Sequence, residues 1–63
     1  MQFIKLKDVL KQTGLSRSHL YHLMAVNRFP AQIKISHKVV VWLNQDIEQW
    51  MQERIEEHRT ITM

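Results

Sequence analysis

Cysteine is absent from these 63 residues, and there is only one glycine and one proline. With no disulfide to brace it, a fold of this size buries only about 60% of the surface its unfolded chain exposes. Nearly every large apolar side chain is therefore needed for folding, and little is left to line an enzyme pocket. Cysteine-free composition also fits a reducing compartment. Long apolar runs are missing too: none approaches the ~18 residues of a membrane span or has the form of a signal segment. We read a soluble, intracellular, single domain over residues 1–63, with no linker, repeat or low-complexity stretch.

Acids are scarce in one part of the chain only. From Met1 to Leu43 the cations Lys5, Lys7, Lys11, Arg17, Arg28, Lys34 and Lys38 face a single acid, Asp8, for a net +6; from Asn44 onward five acids face two arginines, for a net −3. A basic segment backed by an acidic one suits orientation on a polyanion. Solvated surface alone would account for the charges equally well, so the decision rests on where the elements place them.

The few breakers divide the chain. "FIKL" at 3–6 alternates and reads as a short strand or extended entry. Residues 7–13 read as a helix with Val9 and Leu10 inward, stopped by Gly14 in the left-handed conformation just past its end. Ser16 caps a second helix, residues 16–27, and Leu15 between them can touch Leu10 behind and Leu20 ahead, fixing the turn from both sides. Leu20, Leu23 and Met24 continue the inward stripe. Asn27 is suited to the helix end, and Pro30 holds Phe29 extended. After "RFPAQ" the period changes to two. "IKIS" and "VVVWL", with only "SHK" at the turn between them, read as a hairpin over 33–43 whose turn lacks glycine. Asn44 then caps a helix over 44–58 with Ile47, Trp50, Met51 and Ile55 on one stripe, and the residues beyond are expected to fray.

The order of these elements is a mainly α fold with a small β-hairpin, a winged helix-turn-helix. In the second helix, with the leucines turned inward, Arg17, Ser18, Tyr21, His22 and Ala25 share the outer face. That face is nearly flat and carries no acid, as a helix entering the major groove of DNA requires. Arg17 is suited to guanine or a phosphate, Ser18 and His22 to base edges, and Tyr21 to a phosphate or a thymine methyl. Arg28, Lys34, His37 and Lys38 are the further candidates for DNA contact, the last two at the wing tip.

The stretch "LKDVLKQTGLSRSHLYHLMAVNRFPAQIKISHKVVVW" resembles the AlpA family of small phage and prophage DNA-binding regulators. Members read close to "L-x-x-V-x-x-x-T-G-L-S-R-S-x-x-Y", then "R-F-P", a "V-K-L"-like strand and a tryptophan before the last helix; the match extends from residue 3 to about residue 55. The resemblance implies a winged helix-turn-helix of the excisionase and MerR-like kind, with Arg17, Ser18 and Tyr21 as matching recognition residues. It implies a transcriptional regulator in a bacterial cytoplasm, associated with the nucleoid, or else an excisionase that bends attachment-site DNA for an integrase. His22 stands where relatives often have a longer basic side chain, and "SHK" replaces a glycine-containing wing tip. Expected partners are double-stranded DNA, further copies of the chain on repeated half-sites, and an integrase.

The remaining residues take plainer readings. Trp42 and Trp50 are assigned to the core. His19 and His22 are three apart but lack a third ligand, so no metal is expected, nor any cofactor. Asp8, Asp46 and the C-terminal glutamates pair with no nucleophile, and the chain is read as a non-enzyme. A protein-interaction module using the hairpin valines, Val39 or Val41 according to which faces outward, or the acidic helix is the reading from a different class.

Overall fold

The computed structural model describes the backbone of residues 2–62 and the side chains of residues 2–59. Met1 and Met63, within the domain expected over 1–63, lie outside the described residues. Six elements follow in order: β1 (Phe3–Lys5), α1 (Leu6–Thr13), α2 (Arg17–Ala25), β2 (Ile33–Lys34), β3 (Val40–Leu43) and α3 (Asn44–Thr62). The three strands form one antiparallel sheet in the order β1-β3-β2. This is the mainly helical, winged helix-turn-helix architecture that the sequence indicates, with a third strand joined to the hairpin.

The turn between α1 and α2 is built by local chemistry. Gly14 adopts φ 76°, ψ 8° and its N–H donates to the Leu10 carbonyl at 2.8 Å. A left-handed residue here lets the chain leave α1 while still satisfying one of its last carbonyls. Thr13 closes the same turn: its hydroxyl donates to the Val9 carbonyl (2.8 Å) and accepts from the Leu15 N–H (3.3 Å). Ser16, extended at φ −79°, ψ 160°, then caps α2, its Oγ accepting from the His19 N–H at 3.2 Å. The far end of α2 closes at Asn27, left-handed at φ 58°, with Arg28 N–H donating to the Leu23 carbonyl at 2.8 Å. The helix is therefore Arg17–Ala25, shorter than the expected 16–27, because Ser16 is the cap and Val26 and Asn27 form the exit turn.

Val9, Leu20, Phe29, Trp42 and Ile47 form the buried core, with Leu6, Leu10, Leu15, Leu23, Met24, Trp50 and Met51 among the residues packed against it. Pro30 holds the Phe29 backbone extended, and the contacts of Trp42 and Trp50 with this connection set its ring in the interior. It meets Trp50 edge-on, with ring centroids 4.9 Å apart. Each indole ties down the same connection: Trp42 Nε1 donates to the Pro30 carbonyl (3.0 Å) and Trp50 Nε1 to that of Arg28 (2.8 Å). Trp42 is fully buried, whereas Trp50 lies at the margin of the core.

Two expectations for α3 change. Asn44 is itself the first helical residue: its side-chain amide donates to Glu48 within α3 (2.8 Å), and its Oδ1 accepts from Gln12 on α1 (3.5 Å), which ties the two helices. The helix runs to Thr62 rather than residue 58, yet Ile55, assigned to the inward stripe, is 45% exposed. The core ends at Met51, and the next turns of α3 carry charge pairs such as Arg54–Glu57 instead of apolar contacts.

Candidate nucleic-acid interface

The outer face of α2 is open to solvent. Leu20 is fully buried and Leu23 and Met24 half-buried, while Arg17, Ser18, His19, Tyr21, His22 and Ala25 are all exposed. Offsets of one, four and five residues put Arg17, Ser18, Tyr21 and His22 together on one side of the helix. Their side chains make no hydrogen bond or ion pair among the described residues, so they are free to meet a ligand. The first turn of α2 contains no acid, and the positive end of the helix dipole lies there, favouring an approaching anion.

The wing is the β2–β3 hairpin. Lys34 stands opposite Val40, and Ser36, His37 and Lys38 form its exposed crown. Ser36 and Val39 exchange two hydrogen bonds, each 3.3 Å, and Ile35 N–H donates to the Val39 carbonyl at 2.9 Å. Among the described residues only Gly14 and Asn27 have positive φ, so the wing turns without the glycine that a primed hairpin turn demands.

Register puts the two hairpin valines on one face, and exposure separates them. Val41 pairs with Lys5 on one side and Ile33 on the other, and Val39 lies two residues along the same strand direction, so both project to one face of the sheet. Val41 is only 4% exposed because strands flank it on both sides; Val39, beyond the end of β1, is 37% exposed.

Arg28 is placed differently from the other candidates. It lines a groove of about 610 Å³ between the 27–31 connection and α3, together with Asp46, Trp50, Glu53, Arg54 and Glu57. The Arg54 guanidinium lies 5.3 Å above the Trp50 ring, with its Nε 2.9 Å from Glu57. Three carboxylates, Asp46, Glu53 and Glu57, make this groove unsuited to a phosphate backbone. No group of three metal-ligating side chains occurs among the described residues, and no helix among them is long and apolar enough to cross a membrane.

Sequence reasoning located the polar face of α2 but missed Ile35, which is 52% exposed beside the wing crown. Its alternation with Lys34 and Ser36 was visible in the sequence; its height above the end of β1 was not.

A short capped turn between two helices, followed by a hairpin wing, defines a small winged helix-turn-helix protein. Comparison with known proteins narrows the class. Residues 2–55 match the family described as prophage CP4-57 regulatory protein (AlpA), and the chain belongs to that family of phage regulatory proteins. It is similar to an uncharacterised protein, ORF88, of Enterobacteria phage P4, with 37% identity over 54 residues that cover 86% of this chain and 61% of the phage protein. The chain thus matches a little under two thirds of the length of that relative.

Proposed function

We propose that this chain is a sequence-specific, DNA-binding transcriptional regulator that lays α2 in the major groove and sets its hairpin wing beside it. The observation that carries the reading is the uncovered, acid-free face of α2, held from behind by Leu20, Leu23 and Met24 and started by a capped turn. Membership in a family of phage regulatory proteins supports it. Arg17 and Ser18 sit at the N-terminal end of the helix, where a recognition helix approaches base edges; Tyr21 and His22 continue the contact one turn on. Lys34, His37 and Lys38 on the wing supply backbone contacts.

One recognition helix covers few base pairs, so several copies on repeated or paired half-sites give useful specificity. Passage over a duplex-DNA column tests the reading: retention at low salt with elution as salt rises supports it, whereas flow-through at low salt points to a protein partner.

An architectural excisionase, bending attachment-site DNA for an integrase, is a second reading with the same binding physics. The observation favouring it is the apolar character of the wing beneath its polar crown. An excision assay with and without the protein, run alongside a promoter reporter, separates the two roles.

A further inference from the structure

The wing carries two apolar side chains that the core does not use. Ile35 and Val39 are 52% and 37% exposed, and the Ile35 N–H donates to the Val39 carbonyl at 2.9 Å. This bond continues the register set by Ile33 opposite Val41 and Lys34 opposite Val40. Residues directly opposite in an antiparallel pair project to the same face with Cβ atoms about 5 Å apart, so Ile35 and Val39 form one apolar unit just under the Ser36–Lys38 crown.

The surroundings of that unit identify what it meets. Lys34 and Lys38 flank it, and no acidic residue occurs anywhere between Asp8 and Asp46. Even with Phe3, 53% exposed at the β1 end of the same sheet face, these side chains form a patch far smaller than the ~800 Å² per partner of a stable protein interface. Lysines on both sides would also repel the same surface on a second copy. A polyanion with an apolar interior satisfies both features, and stacked bases between phosphates are such a target.

We propose that the wing tip is an intercalating wedge: Ile35 and Val39 enter a base step from the minor groove, and Lys34 and Lys38 hold the phosphates on either side. The inference rests on the DNA-binding reading above and adds to it the partner's deformation. An undistorted minor groove is about 6 Å wide, too narrow for two strands ~4.8 Å apart with their side chains. Entry and opening of the groove therefore occur together, and unstacking kinks the duplex toward the major groove. Pyrimidine–purine steps unstack most easily, so the bound site contains TA or CA/TG at the position the wing meets.

The test uses the full chain and a duplex it selects from a random pool, end-labelled for energy transfer and carrying 2-aminopurine at each candidate step in turn. Binding of the wild-type protein is expected to shorten the end-to-end distance and to raise 2-aminopurine fluorescence several-fold at one step. The double variant Ile35→Ser/Val39→Ser should lose both signals and bind about tenfold more weakly, whereas Ile35→Leu/Val39→Ile should keep them. Lys38→Ala should weaken binding but leave the fluorescence rise intact in the bound fraction.

A straight wild-type complex with quiet 2-aminopurine overturns the wedge while leaving DNA binding in place, and this reading needs no variant to fold. Undiminished bending by the serine variant also overturns it. So does a variant that changes only the number of copies per duplex, which would assign the tip to a protein contact. Failure to select any duplex removes the underlying reading and the wedge with it.

Discussion

In the proposed reading Arg17 and Tyr21 carry the chemistry of recognition, and neither has a task inside the protein. Both are exposed and without an internal polar partner, so truncating them leaves the core intact. Arg17→Ala and Tyr21→Ala are each expected to weaken binding to a selected duplex by about 1–3 kcal/mol, with melting temperature unchanged. Normal affinity in both variants would move the recognition face elsewhere. Lys38 acts by charge alone in this account. Lys38→Ala should weaken binding to all sequences about equally and lower the slope of log affinity against log salt by roughly one unit; an unchanged slope would take Lys38 off the list of phosphate contacts.

Among the elements, the α1–α2 turn is the one that positions this surface, and it rests on backbone conformation more than on packing. A Cβ at Gly14 would meet nothing within 4 Å, yet its φ of +76° is unfavourable for any side chain. Gly14→Ala should cost roughly 1–2 kcal/mol through strain alone, and Ser16→Ala about 1 kcal/mol through loss of the bond from His19. Chemical denaturation reads both; a neutral Gly14→Ala would show that the turn relaxes to another geometry.

This turn was legible in the sequence because caps and glycine conformations depend on neighbours a few residues away. Phe29 was not: its burial depends on Trp42 and Trp50, which hold its connection from 12 and 22 residues away. The pairing of β1 with β3 was equally hidden, since alternation tells which face a strand buries but not which strand it joins. Ile55 shows the converse limit. Its spacing from Ile47 and Met51 identifies a face of α3, while the point where the core runs out depends on how much else is left to cover that face.

For the molecule as a whole, the division of charge matters more than its net value of +3. The acid-poor segment contains α2 and the wing, and the acidic side chains gather on α3, where Asp46, Glu53 and Glu57 line the groove beside Trp50. The candidate site was legible as chemistry on α2, but the exposed pair at the wing was not, because it depends on where β1 stops flanking β3. Under the proposed reading, with α2 as so short a recognition helix, duplexes selected by the protein should carry repeated or paired half-sites. Recovery of a single short motif would mean that one copy suffices.

Amide chemical shifts of the labelled protein, followed while a selected duplex is added, test most directly whether α2 is the surface that meets DNA. The largest changes should fall on Arg17, Ser18, Tyr21 and His22, with the amides of Asp46, Glu53 and Glu57 little affected. Changes concentrated on those acidic positions, with α2 silent, would contradict the account.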